Sequence, residues 1–215
     1  MDHGLTDVIT FAVLGLIGYR LVGGLRRSLS VEGRRLISSV VGGIGWRHVW
    51  PVPLVLSAII AVGLALLMVP GLDWGWWTEL GGDGNPVFGS SNSTLGTVWE
   101  WIVPVLFITL LIPALPLFAY AEERLFRSGA ESWSSFRRIL KVVQFGLVHV
   151  LIGIPIGAAL ALSLGGAYFM RVYLGAYYRT RSRTEATLES TRAHTVYNAM
   201  IVGVVLSIIA VDAFT

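Results

Sequence analysis

Three short patterns bring together the side chains of this sequence that can move protons. In chain order they are Ala121-Glu122-Glu123-Arg124-Leu125-Phe126-Arg127, Phe145-Gly146-Leu147-Val148-His149 and His194-Thr195-Val196-Tyr197-Asn198. As spacings they read E-E-x-x-x-R, F-x-x-x-H and H-x-x-x-N. A glutamate partly shielded from water makes a better general base than one in bulk solvent. An imidazole nearby can share a water with it or protonate a leaving amine. A second imidazole and an amide can donate hydrogen bonds to a tetrahedral oxyanion. The chemistry open to this set is hydrolysis by an activated water.

Helical geometry separates the roles. Glu123 and Arg127 stand at i and i+4, so they share a face and can form an ion pair. Glu122 is turned about 100° away and is free to face a cavity while that pair braces the helix end. Phe145 with His149, and His194 with Asn198, repeat the i, i+4 relation. Taken singly, each pattern is weak. A glutamate pair at a helix end is commonly a solvated cap, and a lone buried histidine is commonly bonded to a backbone carbonyl. The order, the spacing and the shared side of a membrane carry the reading together.

The elements that must position these groups are membrane helices. Of 215 residues, 54% are hydrophobic and 13% charged, against about 25% charged in soluble domains. Mean hydropathy is +0.71. With no cysteine, disulfides, thiol nucleophiles and cysteine-ligated metals are excluded. The net charge of +3 comes from basic residues concentrated in loops, so it does not point to nucleic acid. The first apolar run has its arginines after it rather than before it, and is expected to be a crossing rather than a secretory signal.

Residues 5–22, 52–72, 98–121 and 194–212 read as crossings, with Arg20 snorkelling from the first. Residues 139–178 form one apolar stretch broken by Gly153-Ile154-Pro155-Ile156-Gly157. Such a stretch is about twice the roughly 20 residues of a span, so it predicts a helical hairpin. Between the first two crossings, 23–50 is basic, and Leu36, Ile37, Val40, Val41 and Ile44 predict a helix lying in the interface. The basic loops 23–50, 124–141 and 179–192 fall on one side, the cytoplasm by the positive-inside rule. Loop 73–97, with Asp73, Glu79 and Asp83, falls outside, as do both termini. Trp74, Trp76, Trp77, Trp99 and Trp101 are expected as an outer aromatic belt. The expectation is an all-α, multi-pass bundle of about six crossings in the cell membrane. It reads as one membrane domain, with 1–97 leading into a catalytic core at 98–215 and the active site in the cytoplasmic half. Pro113 and Pro116 should kink the crossing before Glu122.

The three patterns, in this order, resemble the signature of the CAAX protease and bacteriocin-processing family of intramembrane glutamic endopeptidases. The resemblance covers residues 98–212. It implies that Glu122 and His149 activate water, that His194 and Asn198 hold the oxyanion, that Glu123 and Arg127 are structural, and that Phe145 packs beside the water or substrate. No cofactor is implied. The implied partners are a peptide or lipidated-protein substrate and membrane lipids, with cleavage at a CAAX-type C-terminus as one form of the activity. The chain is shorter before the core than the eukaryotic prenyl-protein endopeptidases.

Two other readings use the same residues. Glu122, His149 and His194 could be three ligands of a catalytic zinc ion, although H-E-x-x-H is absent from the sequence. A non-catalytic scaffold or bacteriocin-immunity protein could bind a peptide in the same cavity, but a pure binder has no need of all four polar groups. The triplet Asn92-Ser93-Thr94 matches a glycosylation acceptor, and Arg171, Glu100 and Asp212 read as interfacial charges.

Overall fold

Serine, proline and glycine set the helix boundaries of the computed structural model, which describes residues 3–80 and 96–214. Helix α1 (His3–Leu29) meets α2 (Val31–Val41) at Ser30, whose Oγ accepts the Gly33 N–H at 3.0 Å and caps α2. A short α3 (Trp46–Val49) runs into α4 (Pro51–Leu67), which has proline in its first turn. Helix α4 stops at Leu67, five residues short of the expected end. Pro70 disfavours helix before it, and Gly71 takes a left-handed φ of +85°. Helix α5 (Trp76–Glu79) is a single turn. Helix α6 (Trp99–Phe126) continues through Pro104, Pro113 and Pro116.

The expected hairpin follows. Helix α7 (Ser135–Leu147) is capped by Ser134 and passes into a 3-10 turn, Val148–Ile152. Gly153, at φ +87°, reverses the chain into α8 (Ile156–Thr180). Helix α9 (Arg183–Phe214) completes the fold. All regular elements among the described residues are helical. Among the described residues, three stretches are long and apolar enough to cross a membrane: Trp46–Leu67, Ile102–Ser132 and Ile156–Thr180. Asp83, the Asn92-Ser93-Thr94 triplet and the first two residues lie outside the described residues, as do the side chains of Glu100, Trp101 and Asp212.

Helix α8 is the centre of the bundle, with α7, α4 and α9 packed around it, while α1 lies along α6 and α6 against α9. Small residues allow the approach of α7 to α8. A Cβ on Gly146 would run into the Ala159 carbonyl and the Ser163 hydroxyl, and one on Gly166 would stand 3.0 Å from the Phe145 ring. The main core joins Val52 and Ile59 of α4 to Phe126, Phe145, Phe169 and Tyr197. The segments 1–97 and 98–215 therefore share one core.

The two ends of the bundle differ in chemistry. At one end the loop after α4 supplies carbonyls to the start of α8. Gly157 N donates to Leu72 O at 2.7 Å and Ile156 N to Trp74 O at 3.0 Å, which satisfies amides that a helix start leaves open. Trp76 Nε1 donates to Val150 O at 2.8 Å. The aromatic belt is only partly realised: Trp74 and Trp99 are exposed, but Trp77 is buried. At the other end the three basic loops meet. Arg183 pairs with Glu131, Arg192 Nη2 donates to Ser39 O at 3.1 Å, and Arg47 Nε lies 2.8 Å from Glu189. The predicted helix of 23–50 is α2, whose Val40 is fully buried and which packs on α6 and α9.

Candidate active site

Near its C-terminus α6 turns Glu123 inward and Glu122 aside. Glu123 is 0% exposed and Arg127 1%, and Arg127 Nη1 donates to Glu123 Oε1 at 2.8 Å, as their i, i+4 spacing allows. Two buried charges this close are tolerable only when their remaining hydrogen-bond capacity is filled. Helix α9 fills it from two positions one turn apart. His194 Nδ1 lies 2.8 Å from Glu123 Oε1, and the Ser190 hydroxyl donates to Glu123 Oε2. Arg127 Nη2 reaches the Gly166 carbonyl at 3.5 Å.

Aromatic rings wall this group off. The Phe169 ring stacks on His194 with centroids 4.3 Å apart, and the Arg127 guanidinium lies 4.1 Å over the Phe145 ring. Phe145 also meets His149 edge-on at 5.4 Å and His194 at 5.6 Å. These contacts hold the imidazoles and the guanidinium in fixed orientations without consuming their polar atoms.

Glu122 behaves differently from its neighbour. Its side chain is 38% exposed, and its Oε2 stands 3.7 Å from His194 Nε2. His194, itself 2% exposed, thus spans the two glutamates: Nδ1 on the buried one and Nε2 toward the accessible one. Glu123 already accepts from Arg127 and Ser190, so it is a carboxylate, and His194 Nδ1 carries the proton it shares with it. The donor state of Nε2 then follows the charge of the ring. As imidazolium it donates; as neutral imidazole it accepts.

The tautomer of His149 is fixed by its surroundings. Its Nδ1 lies 2.9 Å from the Phe145 carbonyl and 3.2 Å from the Gly146 carbonyl. Carbonyl oxygens only accept, so Nδ1 carries an N–H, and in the neutral ring Nε2 keeps its lone pair for an external donor. His149 sits in the 3-10 turn rather than on α7 itself, and makes no ion-pair contact with Glu122. It joins the cluster through Phe145. Asn198 is half-buried one turn beyond His194. Its side chain makes no hydrogen bond among the described residues.

No family model matches this chain, and no curated protein or solved structure matches it either. The site is therefore read on its own geometry. Of the seven residues singled out by spacing, Glu122, Glu123, Arg127 and His194 are joined by polar contacts, and Phe145 touches both imidazoles. Among the described residues no group of three or more His, Asp or Glu side chains is placed to hold a metal ion.

Ser190 belongs to the site but to none of the three spacings. The signal was available: Ser190-x-x-x-His194 is another i, i+4 pair, which puts the hydroxyl on the imidazole's face. It was hidden because α9 was expected to begin at His194, whereas it begins at Arg183.

Glu189, the residue before Ser190, also lies outside the three spacings and serves a second cluster. Its carboxylate is 9% exposed and is met by Arg47 at 2.8 Å, His48 Nε2 at 3.2 Å, Arg192 at 2.9 Å and Arg179 at 3.9 Å. Burial by itself would raise the Glu189 pKa. The hydrogen bond from Arg192 and the neighbouring His48 and Arg47 outweigh it and hold the carboxyl below its usual range. This cluster ties α3, α8 and α9 together beneath the site.

Proposed function

We propose that this chain is an intramembrane endopeptidase of the glutamate-dependent kind its motifs resemble. The observation that carries the reading is the position of His194, bonded through Nδ1 to buried Glu123 and presenting Nε2 3.7 Å from accessible Glu122. A protonated His194 makes the group of Glu122, Glu123, Arg127 and imidazolium neutral in sum. It then offers one N–H to a developing negative charge.

In this mechanism a water is held by Glu122 and by the lone pair of His149 Nε2. Its oxygen bonds to the substrate carbonyl carbon as its proton passes to the base. His194 Nε2–H and the Asn198 amide donate to the resulting oxyanion. Collapse breaks the C–N bond, and the proton is delivered to the leaving amine. Glu123 and Arg127 hold His194 in place, and Phe145 sets the distance between the two imidazoles. The substrate class is a membrane peptide or a lipidated C-terminus of CAAX type.

The topology that belongs to this reading has about six crossings, with α1, α7 and α9 from His194 onward embedded beside the three long apolar helices. The end where the basic loops meet faces the cytoplasm and both termini face outside. The cluster of arginines against Glu131, Glu189 and Ser39 at one end of the bundle supports that orientation.

The test compares membrane peptides, by mass spectrometry, from cells lacking the chain, cells restored with it, and cells restored with Glu122→Gln. The reading expects cleaved products only with the unaltered chain. Identical peptide sets in all three, or products made by Glu122→Gln, overturn it. Metal analysis of the purified, active protein separates this mechanism from the zinc alternative.

A further inference from the structure

The seam between α1 and α6 contains two cavities that share Gly18. One, of about 180 Å³, is lined by apolar residues, among them Leu14 and Leu21 of α1 and Val103 and Leu110 of α6. The other, of about 600 Å³, continues toward the C-terminal end of α1 and is lined by Arg20, Arg26 and Arg27 facing Leu117 and Phe118. A groove that is hydrocarbon at one end and cationic at the other matches an amphiphile with an anionic head.

The charges here are unspent. Arg47, Arg127, Arg179, Arg183 and Arg192 all meet a glutamate. Arg20, Arg26 and Arg27 have no carboxylate partner among the described residues. Positive-inside bias accounts for arginines at this end of a helix but not for the glycines beside them. Glycine in a helix interior is disfavoured relative to alanine, and it is usually repaid by close helix contact. Gly24 fits that account, since a Cβ there would stand 2.7 Å from Phe118. Gly18 and Gly23 do not: nothing lies within 4 Å of where their Cβ would be. They keep the groove open.

Length decides between a free anion and a lipid. From Leu14 to Arg26 is twelve residues, about 18 Å of helix. Half of a roughly 30 Å hydrocarbon core is about 15 Å. An acyl chain lying along Leu14–Leu110 would bring a glycerophosphate to the arginines, whose guanidinium forks suit phosphate oxygens. We propose that the α1–α6 seam is a binding site for one anionic phospholipid, its chain in the apolar cavity and its phosphate on Arg20, Arg26 and Arg27. This proposal is independent of the peptidase reading.

Native mass spectrometry of the full chain, delipidated in a neutral detergent, tests it with phosphatidylglycerol and phosphatidylcholine of identical acyl chains. One phosphatidylglycerol should be retained, with a preference over phosphatidylcholine of about tenfold or more. The Arg20→Gln/Arg26→Gln/Arg27→Gln protein should lose that preference. Arg137→Gln/Arg181→Gln, which removes charge elsewhere at this end, should keep it. Gly18→Leu/Gly23→Leu keeps every charge and fills open space, so it reports on the groove even if the arginine variant fails to fold; it should weaken retention about tenfold. Inorganic phosphate should not displace the lipid. Equal binding of the two lipids, retention undiminished by the leucines, loss of preference in Arg137→Gln/Arg181→Gln, or displacement by phosphate alone would each overturn the site.

Discussion

The Nδ1 of His194 lies 2.8 Å from the Oε1 of Glu123, and that bond determines what the other nitrogen of the ring can do. A carboxylate that accepts from Arg127, Ser190 and His194 at once keeps the imidazole in one tautomer and one orientation. The two adjacent glutamates of α6 thus have different occupations: Glu123 sets the ring and Glu122 meets what the ring offers.

Glutamine substitutions separate these occupations. Glu122→Gln keeps size and hydrogen bonding at a half-exposed position and should change stability by less than about 1 kcal/mol. It should abolish peptide cleavage. Glu123→Gln leaves Arg127 as an uncompensated buried charge and should cost about 3–5 kcal/mol. Thermal melting of both variants in detergent checks the contrast. Equal destabilisation would mean that the glutamates form a single structural unit.

Which parts of this arrangement were legible in the letters is decided by geometry. The hairpin at Gly153-Ile154-Pro155 was readable because a glycine and a proline interrupt an apolar stretch of twice the spanning length. The difference between Glu122 and Glu123 was readable because adjacent helix positions diverge by about 100°. The start of α9 was not. Thr187, Glu189, Ser190 and Thr191 are polar letters, and a hydropathy reading ends a membrane helix at them. All four are buried, however, satisfied by neighbouring carbonyls and cations. Trp77 shows the converse ambiguity: a tryptophan near a helix end has the same letter whether it anchors to an interface or enters the core.

Ser190→Ala should act through Glu123 rather than on substrate. It deletes a hydroxyl donated to a buried carboxylate, a loss of about 1.5–3 kcal/mol. Because the carboxylate then holds His194 less firmly, the proposed peptidase should lose turnover rate with little change in KM. Steady-state kinetics on a cleaved peptide check this. An unchanged kcat with a raised KM would place Ser190 in substrate binding instead.

Acid should weaken the fold through Glu189. Its carboxyl titrates below the usual glutamate range in the folded chain, so the folded state binds its proton less readily than the unfolded one. The stabilisation is fully present above the ordinary glutamate pKa and is lost as pH falls through the depressed value. Arg47, Arg179 and Arg192 face this carboxylate and remain cationic in that acid window, while burial lowers the pKa of His48 beside them. A melting-temperature profile across pH 3 to 6 should fall on its acid side (roughly the range of carboxylate titration). In Glu189→Gln that limb should flatten and the plateau above it should drop.

Adding one methyl group distinguishes two glycines. Gly146→Ala drives a Cβ into the Ala159 carbonyl and the Ser163 hydroxyl where α7 crosses α8. It should destabilise by about 1–3 kcal/mol. Gly203→Ala on α9 meets nothing within 4 Å and should be neutral or stabilising by up to about 1 kcal/mol, the helix preference of alanine. Paired melting curves test both.

The two hydrogen bonds from the start of α8 to the carbonyls of Leu72 and Trp74 join main chain to main chain. A joint of that kind is indifferent to which side chains flank it. Replacing Leu72 or Trp74 leaves the carbonyl where it was, while inserting one residue between them displaces one carbonyl relative to the other and breaks the match. The junction between the loop and the hairpin is thus written in chain length rather than in residue type. A scan of substitutions would pass over it, and a scan of insertions and deletions would find it at once.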